Sequence, residues 1–327
     1  MDRRSRLAAT IAVVALIVGA CGTAATPSPS VPASVPASTA ASPSAPAASE
    51  SAAAASPSAS AAAVASVPAD QLIFPDKLVV CSDLPYPPQE FFDDQGTPVG
   101  SDIEVSQEIA RRLGLTPEIQ NSVFDTIIAA LQGNKCDIIA SAQNITADRV
   151  KQVDMIPFFQ AGQSFVVAKG NPKAIKAQDD LCGKTIAAET GTTEADYLEG
   201  TGDYKDQGLS KTCTDGGKPA IDTKKFQKDS DALLALQSGQ VDAYFADSPV
   251  AGYYTVQKPD LFELSGLTLD VALEGISVSK DKTGLRDAVQ AALVSMIDDG
   301  TYTTILSKYG LESGGITSDV AKELNKN

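Results

Sequence analysis

The chain has 327 residues, a formal net charge of −15 and a sequence pI near 4.4, an acidity that argues against the basic stripes on which phosphate-backbone binding depends. It contains no histidine, so the commonest general base, the commonest metal ligand and the usual partner of a serine or cysteine nucleophile are missing. Nucleic acid, a bound metal, a cofactor and most hydrolase chemistry are therefore not expected.

The amino terminus reads as an export signal. Arg3, Arg4 and Arg6 make a basic n-region, and Leu7 to Val18 an apolar stretch too short to span a bilayer. Val18-Gly19-Ala20-Cys21 follows, and small residues before a cysteine resemble the lipobox of bacterial lipoproteins, where cleavage precedes the cysteine and its thiol is acylated, typically with palmitate. An ordinary signal peptide with a stray Cys21 is the alternative. With no second apolar run of membrane-spanning length, lipid is the expected anchor.

Apart from Gly22, residues 22–70 are Ala, Ser, Pro, Thr and Val with Glu50 and Asp70 as the sole charges. Such a run has no aromatics to build a core from and reads as a disordered tether, with a coil span of roughly 40 Å. Its Ser/Thr/Pro content also permits O-glycosylation. What remains, about 255 residues, is enough for one large or two small domains.

From residue 77 short apolar strands alternate with capped helices. Lys77 to Ser82 reads as a strand; Ser101-x-x-Glu104 reads as a capping box opening a helix with Val105, Ile109 and Leu113 on one face. Asp125 is placed to cap the next helix, which carries Ile127, Ile128 and Leu131 and stops at Gly133. "CDIIASA" then forms another strand, so the pattern is βαβαβ with a parallel sheet. "ALQGNKCDIIASA" (130–142) is echoed by "ALQSGQVDAYFADS" (235–248), which implies two similar α/β lobes whose strand ends, the usual ligand side of such sheets, face a cleft. Two more helices follow, around Leu285 to Asp298 and Tyr302 to Tyr309, the second capped by Thr301.

Beyond Cys21 there are four cysteines, and an even number in an exported chain suggests disulfides. Cys182 and Cys213 lie in polar, loop-like stretches and are expected to pair. Cys81 and Cys136 are harder to join: if "LVVCSD" and "CDIIASA" are parallel neighbours with aligned ends, the two lie roughly 13 Å apart, beyond disulfide reach.

After residue 70 the chain has four arginines, Arg111, Arg112, Arg149 and Arg286. Arg149 falls on the first turn of a short helix that Thr146 can cap, where a planar guanidinium beside free N–H groups makes a carboxylate receptor. A solvated surface arginine is the alternative. Asp247 ends the strand "VDAYFA", before Ser248 and Pro249, either as a helix cap or as a fixed anion. A cation at one strand end and an anion at the other suit a zwitterion such as an α-amino acid.

These motifs resemble the extracellular solute-binding proteins, family 3, which deliver polar amino acids to ABC importers; the resemblance runs from about residue 77 to 310. "GSDIEVSQEIARRL" (100–113) is similar to the family signature except at Ser101, and "NITADR" (144–149) to its Ser/Thr-Ile-Thr-x-x-Arg, with Asn144 in place of the hydroxyl residue. The resemblance implies that Arg149 clamps a ligand α-carboxylate with help from the N–H of Asn144, that Ala142 joins this set, and that Thr193 in "GTT" (191–193) adds a hydroxyl. It also implies that Asp247 receives the α-ammonium. From "SDLPYPPQEF" (82–91) it implies that Tyr86 stacks on the ligand and Asp83 meets side-chain donors, with Phe124 closing the opposite face. Packing roles for Tyr86 and Phe124 remain the alternative.

The implied fold is α/β: a two-lobed, type II periplasmic-binding-protein architecture with the ligand cleft between the lobes. Lobe 1 is expected at 71–161 and 276–327, lobe 2 at 162–275, with hinges near 160–163 and 273–277. The implied function is a monomeric, lipid-anchored component on the outer face of the cell membrane, binding a free polar amino acid for ABC permease subunits, with no catalysis. Asp83 and Glu189 lean towards a cationic or amide side chain. The rival readings are an amino-acid sensor or surface interaction protein and, on the same scaffold, a dehydratase-like enzyme.

Overall fold

The computed structural model describes residues 64–326. The expected signal (Arg3, Arg4, Arg6, Leu7 to Val18), Cys21 and residues 22–63 of the expected tether lie outside the described residues.

The first half begins with β1 (Lys77–Ser82), a short ribbon of β2 (Phe91–Phe92) and β3 (Pro98–Val99), then α1 (Ser101–Arg112) and β4 (Thr116–Asn121). It continues with α2 (Ile127–Gln132), β5 (Ile138–Ile139), α3 (Ala147–Val150) and the long β6 (Asp154–Ala168). The second half holds β7 (Thr185–Glu189), α4 (Thr193–Glu199), α5 (Leu209–Asp215), β8 (Asp222–Phe226), α6 (Asp229–Gln237), β9 (Ala243–Asp247) and α7 (Ser248–Gln257). The chain then returns through β10 (Phe262–Val278) to α8 (Thr283–Asp298), α9 (Thr301–Lys308) and α10 (Ser318–Ala321).

The sheet runs β4-β1-β5-β10-β6-β9-β7-β8. Its two ends are parallel trios, β4-β1-β5 and β9-β7-β8, and the long strands β6 and β10 join them antiparallel to each other and to their neighbours. The trios are the structural form of the sequence echo: α2 leads into β5 and α6 into β9, and each of these strands lies against the crossing pair. The sheet is thus parallel only within each half. The β6–β10 ladder slips between Leu269 and Ala272, opposite Gln163 and Ala161, and such bulges bend a strand.

Separate apolar cores cover the two ends. Leu78, Val80, Ile109, Ile156, Val289 and Leu293 belong to the core that α1 and α8 pack on the first half, while Phe165, Ile186, Leu198 and Phe245 belong to the second. Each runs to the same periodicities the sequence shows, 2 along strands and 3.6 along helices.

Several local expectations are corrected. Ser101 is the first helical residue and not the cap; Gly100 is the N-cap at φ 128°, and a Cβ there would lie 2.1 Å from the Gln89 carbonyl oxygen, which only glycine tolerates. Ser101 Oγ instead donates to Asp102 (3.2 Å), and Glu104 accepts from the Tyr309 hydroxyl (2.5 Å). Asp125 lies within a 3-10 turn, Phe124–Thr126, and Thr126 precedes α2 without a side-chain cap. Gly300, not Thr301, caps α9, and the Thr301 hydroxyl accepts from Arg112 (3.0 Å). For Glu104 and Thr301 a residue distant in sequence claims the polar side chain that local spacing offered to the helix end.

Cys182 and Cys213 are joined as expected, with Cα atoms 5.5 Å apart. Cys81 and Cys136 are joined too, with Cα atoms 5.6 Å apart, against expectation. The error was to count Cys136 as a strand residue. β5 begins only at Ile138, so no strand rise fixes the offset, and Cys136 packs with Cys81 among Ile127, Leu131 and Met155.

Residues 64–70, expected to belong to the tether, instead pack on the first half. Val64 N–H donates to the Arg112 carbonyl (3.0 Å), Ala65 and Val67 lie against the core, and Gln71 Oε1 accepts the Leu285 N–H in the first turn of α8 (2.8 Å). The Ala/Ser/Pro average of the run conceals the few apolar residues that dock.

Candidate functional site

The carboxyl ends of both parallel trios meet at one buried cavity. It is lined from the first half by Asp83, Tyr86, Glu90, Phe124, Ala142 and Asn144. Across it stand Glu189, Thr192, Thr193, Glu194 and Asp247. The space left is about 10 Å³ for the centre of a water-sized sphere, room for about one water. Admitting anything larger requires the two halves to part.

Arg149 is placed as the sequence implies. Thr146 caps α3 by accepting the Arg149 N–H (3.2 Å), and the buried guanidinium donates from Nη1 to the Asn144 carbonyl (2.9 Å) and from Nη2 to the Gly191 carbonyl (3.0 Å). Its carbon lies 5.3 Å from the centre of the Phe124 ring, within cation–π range. Gly191 belongs to the second half, and at φ 85° a Cβ on it would lie 2.8 Å from Asp125 Cα. Glycine there lets the halves come this close. Two of the five guanidinium N–H groups are used on carbonyls, one of which departs when the halves separate, leaving a fork for a carboxylate.

Asp247 does not cap α7 with its side chain. Its Oδ2 accepts from the Tyr86 hydroxyl (2.9 Å), which in turn accepts the Asp247 N–H (3.1 Å). Tyr86 thus binds across the cleft here. Thr193 Oγ1 donates to Asn144 Oδ1 (2.6 Å) and accepts from Gln163 Nε2 (3.0 Å), also across the cleft. Ala142 is held at φ 44° with its N–H on Asp102 Oδ2 (2.9 Å). Asp83 accepts the Phe124 N–H (2.7 Å) and bonds the Lys228 ammonium from the opposite half.

All eight residues expected to contact ligand are gathered here: seven line the cavity, and Arg149 stands just behind Asn144. Sequence reasoning missed Glu194, Lys228 and Asp229. Glu194 directly follows Thr193 and is indistinguishable in sequence from an ordinary acid of a helix first turn, while Lys228 and Asp229 carried no motif. Burial raises Asp247 well above the usual carboxyl range, with Glu194 adding to the rise, and raises Glu194 as well. Burial also lifts Glu189 to about 10 and Asp229 to about 7; Tyr244 and Tyr254 donate to Asp229. Carboxyls massed in a dry space hold protons unless a cation joins them. Among the described residues no cluster of three or more His, Cys, Asp or Glu side chains has metal-holding geometry, and no helix is long and apolar enough to cross a membrane.

The arrangement can clasp a small ligand between a fixed cation and several carboxyls, and the chain is similar to known binding proteins. The chain is 30% identical over 230 residues to the arginine-binding protein ArgT of Corynebacterium glutamicum, spanning 70% of this chain and 73% of that one. It is 27% identical over 228 residues to the ABC transporter arginine-binding protein 1 of Escherichia coli, at 68% and 86% coverage. The solved structure of an ancestral arginine-binding protein bound to arginine is 37% identical, with a TM-score of 0.63 over 72% of this chain and 98% of that one. The fold is accordingly the two-lobed, type II binding-protein architecture with its cleft between the lobes. Residues 78–312 match the model of the bacterial extracellular solute-binding proteins, family 3, and the chain belongs to that family.

Proposed function

We propose that this protein is the substrate-binding component of an ABC importer for a polar amino acid, held to the outer face of the membrane by lipid on Cys21. One observation carries the reading: on one side of the cleft Arg149 is buried directly behind Asn144, and on the facing side Asp247 is buried in the wall. A ligand carrying both an α-carboxylate and an α-ammonium bridges them and favours the closed form through contacts it makes only there. Asn144, Ala142 and Thr193 complete the carboxylate end; Tyr86 and Phe124 flank the ligand, and Asp83 faces its side chain. Lobe 1 comprises 71–161 and 276–327 and lobe 2 comprises 162–275. The first hinge, near 160–163, faces the slip at Leu269–Ala272, just before the second passage expected at 273–277. The protein acts as a monomer handing its ligand to permease subunits and catalyses no reaction.

A thermal-shift screen of free amino acids tests this first, and a flat response to every one overturns it. Calorimetry then compares the best hit and its α-carboxyl methyl ester on wild type and Arg149→Ala. Arg149→Ala should weaken the acid by about 30-fold to several thousand-fold, the effect of removing one partner of a buried charge pair. The ester should lose affinity on wild type far more than on the mutant. If the two changes add independently, Arg149 does not hold the carboxylate. For the anchor, Cys21→Ala should shift the protein from the detergent to the aqueous phase without altering ligand affinity.

A further inference from the structure

The cavity is strongly unbalanced in charge. Among the described residues eight buried side-chain polar atoms have no partner, and four of them are carboxylate oxygens of residues lining this cavity, on Glu90, Glu189, Glu194 and Asp247. No lysine or arginine lines it. Three of these acids stand in pairs. Glu194 and Asp247 are close enough to share a proton, and so are Glu189 and Asp83. The pairs occupy different ends: Glu194 lies beside Thr193 and the Arg149 fork, whereas Glu189 ends β7 near Lys228 and Asp229. Lys228 already bonds Asp83 but leaves Glu189 Oε1 unpartnered.

We propose that each acidic pair is a seat for a positive charge, so that the site selects a dibasic amino acid, with Glu194 joining Asp247 on the α-ammonium and Glu189 joining Asp83 on the side-chain cation. This rests on the amino-acid reading above and adds to it the ligand class and a role for Glu194. Two buried carboxylates facing each other repel, and a shared proton or an interposed cation is what relieves them. An ammonium has three N–H donors and a guanidinium five, enough to satisfy both oxygens of a pair where an amide or a hydroxyl supplies fewer donors and no charge. Tyr86 and Phe124 line the same cavity as the seats. Asp229 does not complete either seat, since both of its oxygens already accept from Tyr244 and Tyr254.

The test is calorimetry on the full-length chain with four probes: L-arginine; L-citrulline, which is nearly isosteric but neutral at the side chain; 5-guanidinopentanoate, which lacks the α-amine; and agmatine, which lacks the carboxylate. Arginine should bind at least about 30-fold more tightly than citrulline and than 5-guanidinopentanoate. Glu194→Gln should weaken arginine about tenfold or more while leaving 5-guanidinopentanoate unchanged, because that probe has no ammonium for Glu194 to meet. Glu189→Gln should weaken arginine but not citrulline. Citrulline binding within threefold of arginine overturns the proposal, as does an equal effect of Glu194→Gln on arginine and 5-guanidinopentanoate. Should Glu194→Gln fail to fold, the four probes on the wild-type chain still decide whether both charges are required. The underlying reading fails separately: agmatine matching arginine removes the carboxylate clamp while leaving both cation seats, and tight binding of citrulline with none of arginine keeps the clamp but removes the side-chain seat.

Discussion

The two ends of the sheet share one topology yet are braced differently. The first trio is locked by a disulfide between its central strand and the entry to β5, and by residues 64–73 together with α8, α9 and α10. Asn325 closes this brace, accepting the Met155 N–H (2.7 Å) and donating its own N–H to the Met155 carbonyl (2.8 Å). Among the described residues neither terminal segment packs on the second trio, and its disulfide ties the loop before β7 to α5 at the edge. The charges around the cavity divide the same way: the braced half holds Arg149, and the other holds Glu189, Glu194 and Asp247. A stiff half that presents a permanent cation and a lighter half that brings the acids is a division suited to hinge closure.

The largest expected break in this comparison comes from the disulfides. Their sequence separations are 55 and 31 residues, for which chain entropy alone gives about 4 kcal/mol in each case. The Cys81–Cys136 pair is fully buried beneath β1, so Cys81→Ala/Cys136→Ala adds a packing loss that Cys182→Ala/Cys213→Ala, with Cys182 less buried, incurs to a smaller degree. Thermal denaturation should therefore show the larger fall in Tm for the first double mutant. Equal falls would mean that the first half is not the better braced.

Next in size is the pH dependence. Burial holds Asp102 at about 6, Asp229 at about 7 and Glu189 at about 10, against ordinary values of 3.8, 3.8 and 4.5. For a carboxyl raised on folding, the unfolded chain ionises first, so stability is fully present below the unfolded value and is lost as pH rises through the folded one. Without added ligand, Tm should therefore decline from about pH 4 to 7, with Glu189 extending the decline towards 10. Asp102 belongs to the first half and the other two to the second, so Asp229→Asn should flatten the curve more than Asp102→Asn. A Tm that rises over this range would show these groups to be ionised in the folded chain.

The smallest effect sharpens the account of the brace. Gln71→Ala removes the side-chain acceptor of the Leu285 N–H and should cost about 1 kcal/mol, read as a lower urea midpoint with ligand affinity unchanged. An affinity loss equal to the stability loss would instead place residues 64–73 in the closing motion.

Much of this was legible from residue order alone. The short apolar run of β1, the 3.6-residue spacing of α1 and the duplicated helix-to-strand phrase are local patterns, and local sterics and hydrophobic patterning decide them. Arg149 was legible for the same reason: Thr146 three residues earlier sets the helix turn that aims it. Where the reading failed, the partner was distant in sequence. Ser101, Asp125 and Thr301 are good caps by composition, but Gly100 meets Gln89 and Arg112 reaches Thr301 across 189 residues. Cys81 and Cys136 could not be paired on paper because the loop into β5, not a strand register, brings them together. Glu194 shows the division most plainly. By sequence it is one more acid in a helix first turn, where the helix dipole favours a negative charge; only the fold seals it against Asp247 in a dry cleft, where desolvation and a like-charged neighbour turn an ordinary carboxylate into a group that requires a proton or a cation.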